Sequence, residues 1–323
     1  MSLGEFDLIA RYFNRPTRRA AVGPGDDCAV LAPRAGMQLA VSCDMLVEGR
    51  HFLPTVDPAR LGHKALAVNL SDLAACGAEP LGCTLALALP RVDADWLEGF
   101  SAGLYALAEA HGCELVGGDT TAGPLNICIT VFGEVPAGGA LLRDGARAGD
   151  AVWISHAPDG GIGDARLALE AFRGTVALPG EAFERVRRAM EQPQPRVALG
   201  VALRGIASAA IDVSDGLLGD LSHLLHRSAV GATLDVDALP RSTELAAQPL
   251  ALQRLCGLSG GDDYELVFTA PETAQARVQA AAREAAVAVT CIGRIEAASG
   301  LRVVDSQGRA LADTWTSFDH FRS

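Results

Sequence analysis

Aspartates recur where this sequence turns. Gly25-Asp26-Asp27 precedes strand-like text at 28–31, and Asp44 closes a strand-like run at 39–43. Asp119 follows Val116-Gly117-Gly118, Asp212 and Asp215 end the run through Ile211, and Asp262-Asp263 follow Ser259-Gly260-Gly261. Asp72 differs, because it sits in the Ala/Leu-rich helical text of 65–75, where a carboxylate needs a partner. Taken singly, an Asp before Gly is a turn former, and one at a strand-to-helix junction is an N-cap. Several brought to one sheet edge repel and raise one another's pKa values unless cations neutralise them. Arginine or a metal must then supply the positive charge. Hard oxygen ligands on glycine-bordered loops suit Mg²⁺, which keeps waters and is shared with substrate phosphates. Gly-Gly-Asp also lets backbone approach a bulky anion closely. The chemistry expected is that of an enzyme binding a phosphorylated ligand through several Mg²⁺ ions.

The composition narrows how phosphate is held. Of 323 residues, 39 are acidic and 27 basic, a formal net charge of −12. Lys64 is the one lysine, flanked by His63 and Ala65, so neither a P-loop nor the strand lysine of a protein kinase is present. Lys64 itself is expected to cap or solvate its helix and carries no catalytic role. The acidic balance argues against nucleic acid or an anionic membrane as main partner. No apolar run of ~18 residues predicts a membrane span, and no basic n-region precedes an apolar core at the start. The eight cysteines never form Cys-x-x-Cys, which predicts buried reduced thiols in a cytoplasmic protein.

Positioning these residues requires alternating strands and helices. Runs at 39–43, 114–116 and 127–132 read as strands, and 58–76 and 94–111 as helices, the second with Asp93 as N-cap and Gly112 past its end. A turn-rich stretch at 136–150 predicts a domain boundary, giving domains 1–140 and 141–323. Beyond it come a strand at 151–155, a glycine-rich turn at 160–163 with a helix, a helix at 181–190, and a strand at 209–211. A helix from Gly216, a strand at 264–268, a helix at 272–286 and a hairpin-like segment at 301–304 follow. The fold class is α/β (α+β) in two halves, with a faint internal echo: Ser71-Asp72 against Ser214-Asp215, and Gly117-Gly118-Asp119 against Gly260-Gly261-Asp262.

Six strings in order carry a resemblance. They are Gly25 to Leu31, Asp44 to Phe52, Lys64 to Gly77 (KALAVNLSDLAACG), Gly117 to Thr121, Ile211 to Leu217 and Leu258 to Leu266. Together, over nearly the whole chain, the sequence resembles the thiamine-monophosphate kinase family of the aminoimidazole ribonucleotide synthetase-like superfamily. The resemblance implies a two-domain fold, its N-terminal mixed sheet and helices forming a dimer barrel, and a C-terminal α/β domain. It implies direct in-line transfer of the ATP γ-phosphate to thiamine monophosphate, the last step of thiamine diphosphate biosynthesis. A cytoplasmic homodimer with ATP between the domains is implied as well.

Carried over position by position, Asp27, Asp44, Asp72, Asp119, Asp212 and Asp215 are implied magnesium ligands, with Ser42 and Cys43 beside Asp44. Gly118, Asp119, Arg143 and Ser214 are implied ATP contacts, and Asp72, Asp119, Asp212 and Arg143 the catalytic set. His51, Asp262 and Phe318 are implied to line the thiamine monophosphate pocket. Cys43 stands where the family more often has threonine: harmless if the ligand is the backbone carbonyl, a lost ligand if it is a hydroxyl. Asp262 stands where many members have glutamate, an arm one methylene shorter. Residues 1–25 lack cysteine, which argues against the selenophosphate synthetase branch. A non-catalytic nucleotide or metal sensor is the reading from another class.

Overall fold

The strongest local signals do form helices. In the computed structural model, which describes residues 4–311 and Trp315, the 94–111 text is the helix α3 (Ala94–His111), following α1 (Glu5–Tyr12) and α2 (Pro58–Ala75). Asp93 accepts a hydrogen bond from the Trp96 N–H, and Gly112 closes the helix in the left-handed conformation at φ 60°. Strands β1 (Met37–Val47), β2 (Glu79–Leu89), β3 (Glu114–Ala122) and β4 (Asn126–Pro136) make a four-stranded sheet in the order β1-β4-β2-β3. Its β2/β3 pair is parallel and the other two pairs antiparallel. Strand β2 escaped the sequence reading because Pro80 and Gly82 look like a turn. The strand accommodates them at a register shift near its start, where Pro80 to Cys83 are buried in succession, and it alternates only beyond Cys83.

Strands β5 (Ala151–His156), β6 (Ala209–Asp212), β7 (Gly231–Asp235), β8 (Leu266–Ala270), β9 (Ala288–Glu296) and β10 (Gly300–Val304) build a second sheet. Its order is β10-β7-β9-β5-β8-β6, with β10 parallel to β7. The helices around it are α4 (Asp164–Phe172), α5 (Gly180–Glu191), α6 (Val197–Ala202), α7 (Leu217–Ser228), α8 (Thr243–Ala246), α9 (Leu250–Ser259) and α10 (Gln275–Glu284). Helix α7 gives Leu217, Leu221 and Leu224, all fully buried, to a core shared with Ile154, Ile211 and Leu234. The chain divides into two compact units, Met1–Leu73 with Ala78–Gly138, and Ala74–Gly77 with Gly139–Ser323. No helix among the described residues is long and apolar enough to cross a membrane.

Several local expectations are corrected. Residues 28–31 are not a strand: Val30 alone bridges to Val22, because Asp26 and Asp27 sit in a tight turn that leaves no partner for a ladder. Asp44 and Asp119 lie inside β1 and β3, not after them, since each strand runs on through its neighbour's pairing. The 264–268 strand begins two residues later, after a turn through left-handed Asp262 and Tyr264. The 272–286 helix opens as a 3₁₀ turn, Glu272–Ala274. The 301–304 segment pairs in parallel with β7 and makes only a single bridge, Val304 to Ala310, of its expected hairpin. All eight cysteines are free, but Cys28, Cys43, Cys76 and Cys291 are exposed. Lys64 does not face solvent: it is 2% exposed.

Candidate active site

Helix α2 meets strand β1 through two polar pairs. Side chains at i and i+3 of a helix share a face, and those at i and i+2 of a strand share a face. Asn69 and Asp72 on α2 therefore address Ser42 and Asp44 on β1. The Ser42 hydroxyl donates to Asp72 Oδ2 at 2.5 Å, and Asn69 Oδ1 accepts from the Asp44 N–H at 3.0 Å. Asn69 is itself tied down by donating to the Ala65 carbonyl, one turn back. The sequence reading missed Asn69, although it is polar in the same apolar helix that made Asp72 conspicuous. Cys43 points the other way: its Sγ lies 3.4 Å from Cys128 Sγ, on the face opposite Asp72.

Asp27 is exposed on a turn whose backbone is shaped by Gly25 at φ 111° and by Asp26 Oδ1, which accepts the Asp27 N–H. Two carboxylates anchor the segment carrying it. Glu134, fully buried on β4, accepts from Arg19 at 2.9 Å and from Arg34 Nε at 2.6 Å. Glu114 accepts the backbone N–H groups of Arg18 and Arg19 at 2.7 and 3.0 Å. Burial alone would raise the Glu134 carboxyl, but the hydrogen bonds from both arginines hold it below the ordinary glutamate value.

His51 Nδ1 accepts from the Val47 N–H at 3.0 Å, and the His51 carbonyl accepts from Lys64 Nζ at 3.1 Å. Gly118, with φ 148°, places exposed Asp119 in β3; a Cβ there would lie 1.9 Å from the Leu85 carbonyl oxygen. No other residue fits, so the close strand contact beside Asp119 requires glycine.

In the second unit, Asp212 ends β6 as a buried carboxylate, and the chain turns through Ser214, Asp215 and Gly216 into α7. One oxygen of Asp220 accepts the N–H groups of Ser214, Asp215 and Gly216 at 3.0, 3.1 and 3.1 Å. Burial, with the Asp215 charge, pushes the Asp220 carboxyl up to about 7 against the pull of those three bonds. The Ser214 carbonyl accepts from the Asp262 N–H at 2.8 Å, so the loops bearing Asp215 and Asp262 are joined. Asp262 has φ 66°, and its Oδ1 accepts from the Tyr264 hydroxyl at 3.1 Å. Asp263 Oδ1 accepts from the Gly163 N–H at 2.8 Å, and burial raises its carboxyl well above the usual range. Asp220 was not read from sequence, where it shows only as an acid between Gly219 and Leu221; Asp263 belonged to the aspartate pattern after Gly260-Gly261 but was given no role of its own.

Arg143 is exposed. Its carbonyl accepts from the Ser228 hydroxyl at 3.0 Å, and its guanidinium makes no ion pair among the described residues. Phe318 lies outside the described residues. The echo between the halves does not extend to conformation, since Asp119 is in a strand and Asp262 in a left-handed turn. Among the described residues no three His, Cys, Asp or Glu side chains gather closely enough to hold a metal by themselves. The donors are hard oxygens presented singly or in pairs. That suits Mg²⁺, which binds one or two carboxylates with waters and substrate phosphates rather than an all-protein cage.

Known proteins bear on this geometry. Residues 25–135 match the family "AIR synthase related protein, N-terminal domain", and residues 147–306 match "AIR synthase related protein, C-terminal domain". The chain is 47% identical over 326 residues to the thiamine-monophosphate kinase of Salmonella typhimurium, covering 99% of each. It is 45% identical to that of Escherichia coli K12, again over 99% of each. The crystal structure of thiamine-monophosphate kinase from Stenotrophomonas maltophilia is similar at a TM-score of 0.84 and 44% identity, over 96% of this chain and 99% of that one. A ThiL protein complexed with AMPPCP and TMP is similar at a TM-score of 0.76 and 29% identity, over 90% and 89%.

Proposed function

Because the chain belongs to the thiamine-monophosphate kinase family, we infer that it transfers the γ-phosphate of ATP to thiamine monophosphate, giving thiamine diphosphate and ADP. The observation that carries this reading is near-half identity along the full length to kinases of that name. The joined Ser42–Asp72 and Asn69–Asp44 pairs support it.

The proposed magnesium ligands are Asp27, Asp44, Asp72, Asp119, Asp212 and Asp215, with Ser42 and Cys43. Since the Cys43 thiol faces Cys128, Cys43 serves through its backbone carbonyl in this reading. Bound Mg²⁺ would neutralise the two phosphates that must approach one another. The chain's own residues then hold and orient. Arg143, with its guanidinium unengaged by the described residues, takes the nucleotide phosphates; Gly118 and Asp119 lie against the nucleotide. The attacking phosphate oxygen needs no strong base, because a phosphate monoester's second pKa is near ~6. His51 and Asp262, together with Phe318, are proposed to line the thiamine monophosphate pocket; an aromatic ring there would stack on the cationic thiazolium.

A homodimer follows from β1 in this reading. Its odd-numbered face exposes Leu39, Val41 and Met45 at 48, 56 and 53%, on an edge strand that water would otherwise meet. The proposed compartment is the cytoplasm, and the proposed domain division is 1–140 and 141–323. The test is a product assay with ATP and Mg²⁺, offering thiamine monophosphate, thiamine or an aminoimidazole precursor. Thiamine diphosphate formed from the monophosphate alone is expected. Asp72→Asn and Asp212→Asn should abolish turnover while leaving the circular dichroism spectrum intact. Mg·ATP binding without any product would favour a sensor instead.

A further inference from the structure

The turn through Ser214 and Asp215 follows Asp212, the last residue of β6 paired with β8. Backbone N–H groups of three successive residues, Ser214 to Gly216, converge at the start of the twelve-residue helix α7. Such a convergence, reinforced by the helix dipole, ordinarily receives a phosphate or another external anion. Here it is already filled from within: Asp220, 5% exposed and one turn into α7, gives all three N–H groups the same oxygen. The opposite side of the turn is held too. The Ser214 carbonyl accepts from the Asp262 N–H at 2.8 Å, and the Val213 carbonyl accepts from the Tyr264 N–H at 2.8 Å. Gly216, at φ 119°, holds a backbone conformation that other residues rarely adopt, and a Cβ there would sit tightly, 3.0 Å from the Ser259 backbone.

We propose that Asp220 is a positioning residue for the phosphoryl transfer, an internal acceptor that fixes the Asp212–Asp215 turn so that its two carboxylates stand ready for metal. This rests on the reading of Asp212 and Asp215 as magnesium ligands. The physical reason is twofold. Three N–H groups, buried at Gly216 and part-buried at Ser214 and Asp215, are costly without an acceptor, so without Asp220 the turn rearranges to find other partners. An open convergence of N–H groups would also compete for the substrate phosphate, drawing it away from the carboxylates and their metal. With Asp220 seated, phosphate has no backbone donors to find there, and Asp212 and Asp215 would hold Mg²⁺, which when bound would supply the positive charge that receives phosphate.

The experiment measures Mn²⁺ binding to the full-length protein by electron paramagnetic resonance, with AMPPCP present, alongside steady-state kinetics in Mg²⁺. Asp220→Ala is expected to weaken Mn²⁺ affinity about tenfold, the scale of one or two lost hydrogen bonds. It should lower kcat while moving the KM for thiamine monophosphate less than about twofold. Asp220→Asn keeps an oxygen that can accept the three N–H groups, and should recover most of the Mn²⁺ affinity. Asp220→Glu keeps the charge but displaces the acceptor by one methylene, and should behave as Asp220→Ala; it stands in for that variant should alanine not fold. Added to Asp215→Ala, the Asp220→Ala change should weaken Mn²⁺ binding no further. Wild-type Mn²⁺ affinity in Asp220→Glu, with loss in Asp215→Ala, overturns the positioning role alone. Wild-type affinity in Asp215→Ala removes the metal reading on which it rests.

Discussion

The Lys64 ammonium donates a hydrogen bond to the carbonyl oxygen of His51 at 3.1 Å, from a side chain that is 2% exposed. A buried lysine is tolerated only where its charge is met by acceptors. The chain's one lysine thus reaches from α2 to the loop that follows β1, and ties down the backbone of a proposed substrate residue. Arginine, with its wide planar fork, does not fit the same compact place.

Lys64→Met should therefore raise the KM for thiamine monophosphate by about tenfold, equivalent to ~1.4 kcal/mol, while changing the KM for ATP far less. Lys64→Arg should not restore it. Initial-rate measurements with each substrate varied in turn decide this; equal effects on both KM values would point to a general loss of structure.

Glu134 gathers Arg19 and Arg34, residues on either side of the turn bearing Asp27. Both arginines are partly exposed, at 38 and 55%, so solvent can recover part of what Glu134→Gln removes. A destabilisation of roughly 1–3 kcal/mol is expected by urea unfolding. The magnesium concentration for half-maximal rate should rise in the same variant, and a variant that lost stability but not magnesium response would show that Asp27 does not depend on the clamp.

Ser214 has its N–H engaged by Asp220 and its carbonyl by Asp262, which leaves its hydroxyl to meet the nucleotide. Ser214→Ala should weaken AMPPCP binding about five- to tenfold, as for one lost hydrogen bond, without altering the melting temperature. Unchanged binding by calorimetry would remove Ser214 from the nucleotide contacts.

Asp164 accepts from the Ser242 hydroxyl at 2.5 Å, and burial, aided by the Glu244 charge, pushes its carboxyl up from 3.8 to about 6. A raised value means that the folded protein keeps a proton the unfolded chain has released. Its stabilisation is complete below the unfolded value and is lost as pH climbs through about 6. Asp164→Asn, neutral throughout, should gain on the wild type across pH 4 to 7 in urea unfolding. Parallel pH profiles for the two proteins would contradict this.

Much of this was legible one residue at a time. The missing P-loop, the oxygen-rich donor chemistry, the caps of α3 and the incongruous Asp72 on an apolar helix all depend on local sequence, because caps, periodicity and side-chain chemistry are properties of a few neighbouring residues. Six short strings in order were enough to point to the family. Pairings across long separations were not legible: Ser42 reaches Asp72 across 30 positions, and Arg34 reaches Glu134 across 100. Such contacts depend on strand register and on which helix face meets which strand, and a shift of one residue in β1 would turn Ser42 and Asp44 away from α2. The same physics hid β2, where pairing with β4 and burial of Pro80 to Cys83 overrode the turn signal of Pro80 and Gly82. By itself the sequence determined which atoms are available to bind metal and phosphate. Only the tertiary structure decided which of them are held, and by what: Asp72 by Ser42, His51 by Lys64, and the Asp212–Asp215 turn by Asp220.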